Sequence, residues 1–208
     1  MKGLIRNNMY HIMPTLKMVA LIFVLFQVGI AFLIMGTHVD ISIIEVALGA
    51  SMGSFSSIAF SLLFNLSKSK WDNYELTTTV NRKDVMTARY LTFLILFILA
   101  IILLFISISV IKLSVGVDYS SSFPLYAIVV LLLILAPSIM HVGILKFGIE
   151  RGQLIYIISV VLSAAIYVVP VRWIEVPKYY TTIFTIVSFI LFFISYLISV
   201  KMYSKKEL

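Results

Sequence analysis

The residues of this chain that could carry out chemistry are few and far apart. His38, Asp40 and Glu45 are the only cluster that the sequence offers for acid–base catalysis. An integral membrane enzyme acting on lipid would need at least two such polar groups together near one interface, so this cluster is its only candidate site. The other histidines, His11 and His141, lie in distant segments. We therefore predict no metal site and no cofactor in the chain itself.

The motifs of several enzyme classes are missing. The sequence contains no HExxH, GxSxG or GxxxxGK[ST] motif, the patterns that mark zinc proteases, serine hydrolases and phosphate-binding loops. It also contains no cysteine, which excludes disulfides, thiolate metal sites and a cysteine nucleophile. We predict that the chain is not an enzyme, and that a partner must bind the nucleotide if ATP powers it.

The elements that hold these residues are membrane helices. Hydrophobic residues make up 62% of the chain, charged residues 12%, and the mean hydropathy is +1.11, whereas about a quarter of residues are charged in soluble domains. A bilayer core of about 30 Å requires roughly twenty apolar residues as a helix. Six runs satisfy this requirement: residues 18–35, 46–66, 91–113, 125–145, 154–171 and 181–200. Without β-barrel alternation, these runs predict an all-α, polytopic membrane protein with six transmembrane helices in a single domain over residues 1–208.

The basic residues predict the orientation of these helices. Of the 16 lysines and arginines, only Lys112, Arg172 and Lys178 fall in the connections of one face. The opposite face carries the other basic residues and is cytoplasmic by the positive-inside rule. Six helices then place both termini in the cytoplasm, and we predict that the chain lies in the plasma membrane. The net charge of +7 therefore indicates contact with the lipid bilayer and not with nucleic acid.

Polar residues within the predicted spans are rare. Gln27 lies in the first span, and His141 lies in the fourth, four residues after the helix-bending Pro137. An intramembrane histidine can relay protons, but a lone one is more often bonded to a neighbouring helix, which is the interpretation we favour. Because a charge at the bilayer centre costs about 2.5 to 3.5 kcal/mol and the spans avoid it, ion channels and proton pumps are disfavoured.

Two further segments predict local features. Residues 1–17 alternate apolar and basic positions near helical spacing, which favours an amphipathic helix at the inner lipid surface, with a frayed basic terminus as the alternative. Gly49 and Gly53 form a GxxxG pattern in the second span. Such small residues allow close helix packing, either within the chain or in a dimer.

The cytoplasmic loop over residues 67–90 is the longest polar interval of the chain. Trp71 and Tyr74 recur at helical spacing, which predicts a short helix lying at the membrane interface. The β-branched residues 77–80 disfavour helix, and Asn81 is a good N-cap for a second helix with Asp84 in its first turn. Because that helix can continue from Arg82 into the third span, the loop predicts a coupling element that could tilt membrane helices.

The same loop resembles that of a known family. The runs Lys70–Glu75, Asn81–Met86 and Arg89–Leu91 resemble the loop between the second and third spans of ABC-2-type permeases. That pattern has Leu-Pro where this chain has Thr79 and Val80, and Lys where it has Arg89. A second run, Phe147–Leu154, is similar to the family's segment between the fourth and fifth spans.

The resemblance implies a half-transporter that works with a second permease copy, as a homodimer or heterodimer, and with cytoplasmic ABC ATPases that bind ATP and Mg. It also implies that the loop docks on the ATPase. The corresponding docking positions are Trp71, Asp72, Tyr74, Glu75, Asn81, Arg82, Lys83 and Asp84. An interfacial loop with snorkelling basic side chains is the alternative.

We therefore expect the permease subunit of an ABC exporter. Spans without fixed charges favour a hydrophobic or amphipathic cargo, such as a membrane-active peptide or a lipid. The chain's size and composition also look like those of permeases of staphylococcal exporters for cytolytic peptides. An integral membrane enzyme acting on lipid and a membrane immunity or regulatory subunit are the alternatives.

Overall fold

A computed structural model describes residues 2–36, 54–66, 80–115, 129–173 and 179–205. Its regular elements in these ranges are all helical, which confirms the all-α prediction for the described part of the chain. We number six helices in chain order, apart from a short 3-10 turn at Ile149–Arg151. They are α1 Lys2–Gly36, α2 Ser54–Leu66, α3 Arg82–Val115, α4 Leu131–Phe147, α5 Gly152–Trp173 and α6 Tyr180–Ser204.

Four of these helices are long and apolar enough to cross a membrane. The candidate spans are Lys2–Gly29, Arg82–Val110, Ile149–Ile166 and Tyr180–Ser204. Helices α2 and α4 are apolar but shorter, and the predicted runs 46–66 and 125–145 extend beyond the described residues on their N-terminal sides. The count of six spans thus stays a prediction, although every described helix overlaps one predicted run.

Helix α1 joins the predicted interfacial segment and the first predicted span into one helix. It continues through Pro14, although this residue cannot donate a backbone hydrogen bond to the preceding turn. The described helix therefore runs without a break from residues 1–17 into the first predicted span, and the location of residues 1–17 at the inner lipid surface stays a prediction. One side of α1 is buried at Asn8, Ile12, Val19 and Phe23, and spacings of four and seven residues keep these side chains on one face.

Helix α6 buries one narrow stripe of mixed character. The buried positions are Phe184, Ser188, Phe192, Ser195, Ser199 and Tyr203. Ile186, Ile190 and Leu197 point outward and are about half exposed in the isolated chain. Lipid tails are as apolar as leucine, so such residues gain nothing by facing the protein, whereas small serines allow the helices to approach closely.

Helix α4 begins with an irregular turn. Residues Leu131–Leu135 form a π-turn in which the backbone N–H of Ala136 donates to the carbonyl of Leu131. Pro137 follows directly and has no N–H to offer to the preceding turn, and a π-turn is a common local adjustment of the helix at such a position. The bend predicted at Pro137 thus coincides with a local change of helix type.

Several helix ends meet at one end of the bundle. The start of α3 touches the end of α6, because Arg82 Nη1 donates to the Ser204 carbonyl over 2.8 Å. The chain leaves α4 at Gly148, whose positive φ of 85° suits glycine, and starts α5 four residues later. Leu4 of α1 packs at the same place, against Val85 and Tyr203.

We call this region the basic end. Its basic residues in the described ranges are Lys2, Arg6, Arg82, Lys83, Arg89, Lys146, Arg151, Lys201 and Lys205. The acidic residues of the described ranges, Asp84 and Glu150, also lie there. The charge asymmetry along the bundle agrees with the predicted cytoplasmic face, whose side of the membrane stays a prediction.

Candidate functional site

The start of α3 has the cap that the sequence predicts. Asn81 Oδ1 accepts the backbone N–H of Lys83 over 3.0 Å, and the Asn81 carbonyl accepts those of Asp84 and Val85 over 2.9 and 3.2 Å. Asp84 lies in the first turn, where its negative charge is favoured by the helix dipole. The N-cap at Asn81 is therefore confirmed, and an unbroken helix runs from Arg82 to Val115 over the third predicted run.

The predicted docking residues divide into two groups. Trp71, Asp72, Tyr74 and Glu75 lie outside the described residues, so their role stays a prediction, and the same holds for Gly49 and Gly53. Among the other four positions, Asn81 caps α3 and Arg82 bonds the end of α6. The Lys83 side chain is exposed, so among these positions it is the one we choose to test for docking.

Arg89 fastens the next turn of α3 to α6. This side chain is 2% exposed, and its guanidinium carbon lies 5.4 Å from the ring centroid of Tyr203. A desolvated cation over an aromatic face is attracted by the ring quadrupole, and the flat guanidinium can stack where a lysine ammonium cannot. The departure from the lysine of the resembled pattern therefore creates a specific contact with α6.

A cluster of hydroxyl groups and one imidazole begins at Tyr90, the residue that follows Arg89 on α3. The Tyr90 hydroxyl is 2.6 Å from Ser195 Oγ and 2.9 Å from Ser199 Oγ. His141 Nδ1 is 3.0 Å from Ser199 Oγ, and Ser195 Oγ donates to the Ser138 carbonyl over 2.8 Å. We call these five residues the Tyr90 cluster, which joins α3, α4 and α6.

The His141 prediction is confirmed by this cluster. The imidazole is 1% exposed and bonds a neighbouring helix, as a lone intramembrane histidine was expected to do. Its ring also stands edge-on to that of Tyr90, with 5.2 Å between centroids and 87° between planes, a favourable aromatic geometry. Sequence reasoning missed Tyr90, Ser195 and Ser199, whose only signal is the four-residue spacing of the two serines.

Further polar contacts join other pairs of helices. Thr15 and Ser61 hydroxyls lie 2.6 Å apart between α1 and α2, and Ser56 meets the Tyr156 hydroxyl over 2.8 Å between α2 and α5. Asn8 Nδ2 donates to Thr92 over 3.3 Å between α1 and α3.

The rest of α3 offers no comparable groups. Beyond Thr92, its described hydroxyls are those of Ser107 and Ser109, which donate to Leu103 and Phe105 of the same helix. Its neighbours there are contacted through apolar side chains such as Leu96 and Leu104.

The enzyme alternative gains no support from the described ranges. His38, Asp40 and Glu45 lie outside them. Within them, no group of three histidine, cysteine or acidic residues is arranged to hold a metal ion.

Comparison with known proteins identifies the family of the chain. A family model described as ABC-2 family transporter protein matches residues 3–204, which is nearly the whole sequence and includes every helix described above. Neither a curated protein nor a solved structure matches the chain. The chain therefore belongs to the ABC-2 family of transporter proteins.

Proposed function

We propose that this chain is the permease subunit of an ATP-driven exporter and that α3 is the lever through which a separate ATPase acts on it. The observation that carries the proposal is the length of α3, which has 34 residues and starts at a capped end. At about 1.5 Å per residue it is roughly 50 Å long, whereas the hydrocarbon core is about 30 Å thick. Several turns of α3 must therefore extend beyond the hydrocarbon.

The sequence of α3 suits the transmission of force. It contains no glycine or proline between Arg82 and Val115, the residues that most often kink or weaken a helix. A push at Lys83 would thus be carried into the membrane without being absorbed by bending. Two conformations separated by a few kcal/mol are enough for a partner to shift the population between them.

The cargo we propose is hydrophobic or amphipathic, such as a membrane-active peptide or a lipid. Support comes from the charges of the described bundle, whose acidic residues, Asp84 and Glu150, both lie at the basic end. A path between two copies of this chain would then be lined by apolar side chains and hydroxyl groups. Such a lining offers no fixed negative charge to attract an inorganic cation.

The test is to express the chain together with the ABC ATPase encoded beside it, purify the pair and measure ATP turnover in liposomes. We expect a stable complex, because the family membership and the capped lever both favour a cytoplasmic motor. Charge reversal at a docking surface should lower the yield of bound ATPase by roughly tenfold or more. Lys83→Glu is the variant of choice, since Arg82 also holds the end of α6.

Lys201→Glu is the matched control. Lys201 is also exposed and lies at the basic end, on α6, but it is not a predicted docking residue. Equal loss of the ATPase in both variants would show a general charge effect, and an unchanged complex with Lys83→Glu and Trp71→Ala combined would contradict the proposed lever.

A further inference from the structure

We infer that Tyr90 is a positioning residue that helps α4 and α6 to follow the movement of α3, an inference that rests on the proposed function. The Tyr90 hydroxyl contacts two residues of α6 directly. Through them it reaches His141 and the Ser138 carbonyl on α4. The path therefore starts at His141 on α4, passes through Ser199 on α6, Tyr90 on α3 and Ser195 on α6, and ends at the Ser138 carbonyl on α4.

The hydrogen bonds of this path run in one direction. A backbone carbonyl can only accept a hydrogen bond, so the Ser195 hydroxyl donates its proton to the Ser138 carbonyl. Tyr90 must then donate to Ser195, and because each hydroxyl has a single proton, Ser199 must donate to Tyr90. The remaining position on Ser199 accepts from His141, which assigns a proton to its Nδ1 atom.

This order makes Tyr90 the central member. Its hydroxyl is the group through which α3 enters the path, and it both accepts from Ser199 and donates to Ser195. Without this oxygen the path divides into two separate hydrogen bonds, that of His141 with Ser199 and that of Ser195 with the Ser138 carbonyl. Each of them joins α4 only to α6. The bonds to α3 are lost together, while the two serines stay on the buried stripe of α6.

The substitution Tyr90→Phe isolates this effect from folding. The ring packs against Phe93, Phe192 and Tyr196 with centroids 5.8, 5.1 and 5.4 Å away, and phenylalanine retains these contacts. The freed hydroxyl of Ser199 can turn to a carbonyl of its own helix, as Ser188 does towards Phe184. Phenylalanine should thus preserve the helix positions and weaken the coupling of their movement.

Tyr156→Phe is the matched control. The Tyr156 hydroxyl also bonds a serine of another helix, Ser56, so the variant loses the same kind of group. This bond joins α2 and α5 and does not involve α3.

The experiment uses the absence of cysteine from the chain. A single cysteine at Leu91 on α3 or at Lys201 on α6, both exposed, is labelled with an environment-sensitive fluorophore. The full transporter with its ATPase is placed in liposomes, and the fluorescence is compared before and after trapping with ATP and vanadate. We expect both probes to respond in the parent protein and in Tyr156→Phe.

In Tyr90→Phe we expect the Leu91 probe to respond as before, while the Lys201 response and the cargo moved per ATP fall by about twofold, the lower end of the coupling that network residues can carry. The fall is limited because the contacts of Arg82, Thr87 and Arg89 still join α3 to α6. A full response at Lys201 in Tyr90→Phe would overturn the inference and leave the proposed function intact. No response at Leu91 in the parent protein would instead overturn the proposed lever, so the two failures are distinguishable.

Discussion

The two parts of α3 differ in how they hold their neighbours. From Arg82 to Thr92, hydrogen bonds and a cation over a ring fix α3 against α1 and α6. From Phe93 onward, α3 packs into the buried core through apolar side chains such as Leu96 and Leu104. Hydrogen bonds demand one geometry, whereas apolar side chains within lipid have little preference between a helix and the bilayer.

This difference teaches how one bundle can be firm and mobile at once. If one helix slid past another at the basic end, the polar contacts between them would break. The helices there are therefore expected to move together as a unit. The opposite part can repack, because one apolar contact replaces another at small change in free energy. For the proposed transporter this arrangement would be useful, since force would enter at the part from Arg82 to Thr92, the firm part, and a path would open along the part beyond Phe93, the adaptable part.

The largest change in the free energy of unfolding is expected at Arg89, in the part of α3 from Arg82 to Thr92. We expect Arg89→Ala to lower the free energy of unfolding by about 3 kcal/mol, since it removes a buried side chain and its contact with Tyr203. The measurement is unfolding of the purified protein in mixed micelles. Arg89→Lys is the control and should lose about 1 kcal/mol, because the charge stays while the flat stacking is lost. Equal stability of all three proteins would contradict a specific contact at this position.

A second prediction tests how closely the helices approach near the basic end. A Cβ atom at Gly143 of α4 would lie 2.6 Å from Ile155 Cγ2 of α5, so one helix must shift. Gly143→Ala should destabilise the protein by about 2 kcal/mol through overpacking. Gly29→Ala on α1 is the control, since no described atom lies within 4 Å of its added Cβ. It should be neutral or slightly stabilising, as alanine favours helix. Thermal unfolding of both variants in detergent decides the matter.

Local signals explain which parts of this molecule could be predicted from sequence. The Asn81 cap depends on one side chain and the next few amides, and the helix ranges depend on runs of apolar residues. The Tyr90 cluster depends on the register between helices whose bonded residues are 57 to 109 positions apart in the chain, which no short pattern encodes. Ser195 and Ser199 look the same in sequence as Ser188, although only the first two meet α3 and α4.

Residues 1–17 were expected to form an interfacial segment before the first span, on the spacing of their apolar and basic residues, and a single helix that continues through Pro14 was not predicted. A proline removes one hydrogen bond, and the contact of Thr15 with Ser61 and the donation of Asn65 to the His11 carbonyl hold α1 on both sides of the residue. Tertiary packing therefore outweighs the local signal.

A third prediction sharpens the comparison at a single hydroxyl group. Ser199→Ala removes the bonds to both Tyr90 and His141, and we expect a loss of about 1 kcal/mol in the free energy of unfolding, the usual value for such bonds. In a double-mutant cycle with Tyr90→Phe the losses should not add, because both changes remove the same bond. Additive losses, measured in the same micelles, would contradict the one-way path.

The smallest effect is expected from a serine in the adaptable part. Ser107 is as buried as Ser199 to within a few per cent, but its hydroxyl donates to the Leu103 carbonyl of its own helix. That carbonyl is also the acceptor of the regular helical bond, so Ser107→Ala leaves no neighbour unsatisfied and should change the free energy of unfolding by less than about 0.5 kcal/mol. A loss as large as that of Ser199→Ala would mean that the far part of α3 also depends on its hydroxyl groups. The contrast between the two parts of the helix, and with it the reason for expecting repacking in only one of them, would then be lost.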